Sequence, residues 1–205
     1  MSALRLQRKE LANDHPERLS LRKLAERLDA APMALYRHVA NKEDLVDGMV
    51  DVVYGEVETP TGAGWKAAMR HRATSMRATL LRHPWAVGVM ESRSPGPANL
   101  RYHNAGIACL REDAGLPIRT AIDAYNLMDS YLYGFALQEK TLPGDLAAEA
   151  EARREALSAT DPSLATTYPY LIEVVEELGA SGYDYTEQFE RGLEHILNAI
   201  EQLRP

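Results

Sequence analysis

The chain has 205 residues and a single cysteine, Cys109. No disulfide can close within it, so a disulfide-stapled scaffold is excluded. Cys109 lies among Ile107, Ala108 and Leu110 and reads as a small buried hydrophobe, with no activating base beside it. Long apolar runs are missing as well. None approaches the roughly 20 residues that span a bilayer. Met1 to Lys9 carry charges and no apolar core of the signal-peptide kind. A cytoplasmic location and no membrane partner are expected. The six histidines form no His-x-x-x-His pair with an acid nearby, and there is no HExxH, so no metal is expected. A Gly-rich phosphate loop, GxSxG and GxGxxG are also absent, so no cofactor and no enzyme are expected. Sustained apolar/polar alternation is missing, which argues against strands.

What is present is helical periodicity and an uneven charge. The net charge is −7. Residues 1–42 hold nine Lys and Arg against five Asp and Glu, a net of +4, which leaves −11 on the rest. A basic head on an acidic body suits a small nucleic-acid-reading module attached to a larger regulatory part. Helices are expected over about 3–15, 20–28, 32–39 and 42–57, then 65–82, 84–92, 97–114, 118–140, 145–157, 162–178 and 185–203, with Pro and Gly marking the breaks. Thr59 to Gly64 is the clearest break, and the helix before it leads from a small head into the body. The expected fold is all-α. An N-terminal three-helix domain with a helix-turn-helix spans 1–48, and a helical ligand-binding and dimerisation domain spans 49–205.

The head carries the motif. Leu21, Leu24, Ala25 and Leu28 fall at i, i+3, i+4 and i+7, one buried stripe. Asp29 to Pro32 makes a short turn, and Pro32 suits the first position of the next helix. In that helix Leu35 and Val39 face inward. Asn41 is placed to cap the following helix, with Asp44 three residues on in the manner of a capping box. Two short helices joined this way form a helix-turn-helix, whose second helix enters the major groove.

The stretch Leu19-Ser20-Leu21-Arg22-Lys23-Leu24-Ala25-Glu26-Arg27-Leu28, then Pro32-Met33-Ala34-Leu35-Tyr36-Arg37-His38-Val39 and Asn41-Lys42-Glu43-Asp44-Leu45, resembles the DNA-binding domain of the TetR family of bacterial repressors. Within the family it is most similar to the branch that includes the tetracycline repressor. The resemblance implies that Arg22 and Arg37 face the groove or its rim, where arginine can bond guanine O6 and N7. It implies that Met33 and Ala34 stand at the tip of the reading helix, and that Ser20, Tyr36, His38 and Lys42 contact phosphate. Lys42 also lies in a first helical turn, where free N–H groups already favour an anion. Tyr36 packing into the small core and His38 standing free on the surface remain alternatives. Asp29 and Ala31 depart from the family's usual Gly and Ser. The resemblance further implies a homodimer on a palindromic double-stranded operator, with the last helix and the helix near 118–140 at the dimer seam.

The body reads as a ligand-binding part. Along 118–140, Tyr125, Asn126, Asp129 and Tyr133 interleave with apolar residues, which suits a pocket with a few convergent polar groups. Trp85, Met90, His103 and Asn104 are candidates to join them. A satisfied polar network or a wet dimer seam would leave the same pattern. In the last helix, Phe189, Leu193, Ile196, Leu197, Ile200 and Leu203 make an apolar stripe. Glu58 falls where the tetracycline repressor has a histidine that helps hold drug and magnesium. A different small-molecule effector, organic and partly apolar, is therefore expected. The competing reading is a DNA-binding regulator without a small-molecule pocket, controlled by a protein partner, in which Trp85, Tyr125 and Met128 fill the interior.

Overall fold

A computed structural model describes residues 39–141, 163–181 and 184–204, together with Ala25, Glu26, Met33, Ala148, Glu151, Ala152 and Glu155. Among the described residues there is no strand, and the fold is all-α. The helices expected over 3–15, 20–28, 32–39 and 145–157 lie almost wholly outside them.

Helix α1 runs Lys42–Tyr54. The Asn41 side chain accepts from Asp44 N at 2.8 Å, and Asp44 accepts from Ala40 N at 2.8 Å. The reciprocal cap thus reaches one residue further back than a standard capping box, but it satisfies the same kind of orphan donor. Leu45, Met49 and Val53, with Val46, Val50 and Tyr54, recur at i+4 and are buried. Helix α2 runs Trp65–Arg82 and buries residues on a broad arc, so it lies at the centre of its unit.

The expected helix over 84–92 is a run of turns ending in a 3-10 turn, Met90–Ser92. Gly88 has φ +90°, a left-handed conformation that no α-helix tolerates. Helix α3, Pro97–Ala108, continues into a π turn at Cys109–Asp113 and stops before Gly115, φ +74°. Helix α4 runs Ile118–Thr141. Where one helix was expected over 162–178, a short turn at Leu164–Thr167 is followed by α5, Pro169–Ser181. Pro169 opens the second helix because it disfavours helical backbone at Tyr168 and has no N–H to donate. Helix α6 runs Tyr185–Glu201, with Asp184 accepting from Thr186 N and Glu187 N. Along it Phe189, Leu193, Leu197 and Ile200 are buried, and Leu203 beyond it is exposed.

The chain divides into two units. One holds the described residues up to Leu137 with those from Ile196 onward, and the other is Gln138–His195. In the first, the core is aliphatic and methionine-rich, with Met69, Met76, Leu80, Leu110, Leu116, Met128 and Leu132 almost wholly inaccessible. In the second, Tyr168, Tyr170, Leu171 and Val174 are exposed on α5 and before it. No helix among the described residues is long and apolar enough to cross a membrane.

Candidate functional site

The first unit contains a buried polar cluster built around Arg72. Its neighbours Met69, Ala73 and Met76 place it on the buried stripe of α2, and its side chain has no exposure. A charge in that position needs a partner and aligned hydrogen bonds. Arg72 Nη1 donates to Asp129 Oδ1 of α4 at 2.9 Å, and Nη2 donates to the Tyr125 hydroxyl. The guanidinium is stacked by aromatic rings, with Cζ 4.0 Å from the Tyr102 ring centroid and 4.5 Å from that of Tyr125. Burial opposes the charge, but Tyr102, Asp129 and Tyr125 more than offset it and hold the guanidinium protonated.

The cluster extends outward. Tyr125 Oη lies 2.6 Å from His103 Nδ1, and Tyr54 Oη lies 3.3 Å from Tyr133 Oη. Burial pushes the Tyr54 phenol up to about 12 and raises Tyr102, Tyr125 and Tyr133 too, so all four remain neutral phenols at neutral pH. Glu91 is raised as well, by partial burial and then by the Asp129 charge. Close approach of Arg72 and Tyr125 to α3 depends on Gly106. A Cβ there would lie 2.8 Å from Tyr125 Cε2 and 2.9 Å from Arg72 Nε.

Burial lowers the pKa of His103, Asp129 opposes that shift, and Arg72 adds to it. The folded protein therefore resists protonation that the unfolded chain accepts below a pH of about 6.5. Stability is fully present above that pH and is lost as pH falls toward the lowered folded value, because the unfolded state then binds more protons. A melting-temperature series from pH 7.5 to 5.5 should slope downward, and His103→Gln should flatten it. Equal slopes in both proteins would contradict this assignment.

Beside the cluster lies a groove of about 390 Å³, within the range of small-molecule sites. Its walls come from the end of α1 (Tyr54, Gly55), the following loop (Glu58, Thr59, Thr61), α2 (His71) and α3 (Ala98, Arg101, Tyr102). Glu58 is paired with His71 Nε2 at 2.6 Å, and its N–H donates to Ser75 Oγ at 2.9 Å. Among the described residues, Tyr102 Oη and His71 Nδ1 are buried without a hydrogen-bond partner, and both residues line this groove. No group of three or more metal-ligating side chains occurs among the described residues.

The residues singled out from sequence separate into groups. His103, Tyr125, Asp129 and Tyr133 come together in the cluster. Trp85 and Met90 are buried, with Trp85 edge-on to His83 at 6.4 Å between ring centroids. Asn104 and Asn126 are exposed in the single chain. Met33 is 73% exposed, and Lys42 is half-buried in the first turn of α1. Ser20, Arg22, Ala34, Tyr36, Arg37 and His38 lie outside the described residues. Tyr54, Arg72, His71 and Tyr102 were not singled out, although Arg72 interrupting an otherwise apolar stripe was a usable signal. Cys109 is inert: its thiol donates to Trp65 O at 3.8 Å, and burial pushes it up to about 12.

Residues 58–204 match the family described as "Tetracyclin repressor-like, C-terminal domain". A helix-turn-helix transcriptional regulator of Saccharopolyspora erythraea is 30% identical over 194 residues, covering 91% of this chain and 78% of that protein. The transcriptional repressor DrrR1 of Streptomyces coeruleorubidus is 30% identical over 196 residues, 91% of this chain and 71% of its own. The crystal structure of the Streptomyces coelicolor TetR family protein ActR in complex with actinorhodin superposes with a TM-score of 0.78 at 26% identity, covering 97% of this chain and 94% of that one. With its all-helical fold and these matches, the chain belongs to the TetR family of transcriptional regulators.

Proposed function

We propose that this regulator is a repressor that binds a palindromic operator as a homodimer through residues 1–48 and is released by a small organic ligand held in the body. The observation that carries this reading is the groove: α1 begins at Lys42, beside the helix-turn-helix sequence, and ends at Tyr54 in the groove wall. One helix therefore joins both ends of a switch. Tyr54, Glu58, His71, Arg101 and Tyr102 offer a ligand polar groups in the groove lining, beside apolar Val57 and Ala98. The relative ActR, solved with actinorhodin, supports an organic effector. Exposed Ile122, Leu127 and Leu137 on α4 support a dimer seam there. Binding of a ligand that prefers one setting of α1 would shift two reading helices away from successive major grooves, about 34 Å apart.

The test is fluorescence anisotropy on palindromic fragments from the protein's own upstream region, across a salt series. Arg37→Ala should lose about 10- to 100-fold in specific binding, the scale of one bidentate base contact. Lys42→Ala should weaken all sequences alike and reduce the salt slope by about one phosphate contact. Equal binding of every sequence by the parental protein would overturn the reading. A second reading, a regulator controlled by a protein partner, is favoured by the burial of Trp85, Tyr125 and Met128 in the free chain. It predicts that filling the groove leaves operator affinity unchanged.

A further inference from the structure

The N-terminus of α3 is capped by a residue from another helix. Helix α3 starts at Pro97 after Gly96, which has no side chain to cap with. Its first free donors, Ala98 N and Asn99 N, both donate to Asp51 Oδ1 of α1, each at 2.9 Å. Asp51 thus takes the part that a local Ser or Asp plays in other helices, with its negative charge at the positive end of the helix dipole. Gly96 is what lets the carboxylate in. A Cβ at that position would lie 2.3 Å from Asp51 Cγ and 2.4 and 2.7 Å from its two oxygens. One turn further along α1, a Cβ at Gly55 would lie 3.7 Å from Ala98 Cβ. The same two segments, Tyr54 and Gly55 at the end of α1 with Ala98 and Tyr102 of α3, lie side by side in the groove wall.

We propose that Asp51 is a positioning residue: its bond to the start of α3 makes α1 and α3 one rigid piece, so the state of the groove is passed along α1 toward Lys42. The step from that joint to DNA rests on the repressor reading above. A local cap would stabilise α3 equally well but would not tie it to α1. That difference separates coupling from simple helix capping.

The test uses the full-length protein with spin labels at Glu43→Cys and Leu100→Cys. Both sites are exposed, on α1 and α3 respectively, and buried Cys109 is left in place. Labelled chains are diluted with unlabelled chains, so that distances within one chain are read by pulsed electron resonance. The parental protein and Asp51→Asn, whose amide oxygen can still accept both bonds, should give one narrow distribution. Asp51→Ala should at least double its width and weaken operator binding about tenfold. The double variant Asp51→Ala/Gly96→Ser restores a local cap to α3, and so recovers melting temperature, without restoring the tie. It should stay broad in distance and weak on the operator. Parental distances or parental operator affinity in a folded double variant would overturn the proposal and leave Asp51 as a cap only. A parental protein that shows the narrow distribution but no sequence-specific DNA binding would overturn the repressor reading instead, and the joint is then decided by the distances alone.

Discussion

Replacing Asp129 with alanine is expected to destabilise the protein by about 3–5 kcal/mol, the usual cost of leaving one member of a buried ion pair without its partner. The reason lies in Arg72, which has no exposure and no other carboxylate hydrogen-bonded to it among the described residues. Its remaining hydrogen-bond partner is the Tyr125 hydroxyl, and its Nε already has none. A chain of this size loses about 2–4 °C of melting temperature per kcal/mol, so the fall should be about 10 °C. Asp129→Asn should cost less, since an amide oxygen still accepts from Nη1. Replacing both partners by apolar residues, Arg72→Met with Asp129→Leu, should cost far less than Asp129→Ala, because no charge is then left buried. Calorimetry on the three variants checks the order. If Asp129→Ala and the double variant melt together, the ion pair is not what holds the cluster.

Gly106→Ala should be destabilising by about 1–3 kcal/mol, the range for overpacking a filled core. The sign is the informative part. In an exposed helix interior the same change would stabilise by about 1 kcal/mol through helix propensity. Here the new methyl would meet Tyr125 Cε2 at 2.8 Å and Arg72 Nε at 2.9 Å. Neither neighbour is free to move, because Arg72 is fixed between Asp129 and two rings and Tyr125 is bonded to both Arg72 and His103. A raised melting temperature in Gly106→Ala would mean that the cluster is looser than its geometry implies.

The sequence disclosed much of this fold because helix periodicity is a local property. The helices expected over 65–82, 97–114 and 118–140 from apolar spacing and from Gly and Pro at their ends are found over 65–82, over 97–108 with the π turn that follows, and over 118–141. The misread segment at 84–92 has helix-compatible side chains, but Gly88 turns the backbone left-handed in its middle. The expected single helix over 162–178 breaks because Pro169 opens a helix of its own. In the cluster around Arg72, Tyr125, Asp129 and Tyr133 were legible as polar groups on an apolar helix, although none of them lines the groove. Arg72, Tyr54 and Tyr102 acquire their roles only through neighbours far along the chain, as when Tyr54 meets Tyr133. Asp51 is the extreme case. Its cap serves a helix whose start lies more than 40 residues away, and no pattern of spacing announces a bond of that range.

That the groove beside Tyr54 and the DNA-reading head are two ends of one switch can be tested without knowing the natural ligand. A cysteine placed at Thr59, an exposed groove residue, can be modified with N-phenylmaleimide while buried Cys109 stays unmodified. Operator affinity is then measured before and after the groove is filled. A fall of at least tenfold is expected, with the dimer intact. Unchanged affinity in a fully modified, folded protein would contradict it and favour control by a protein partner.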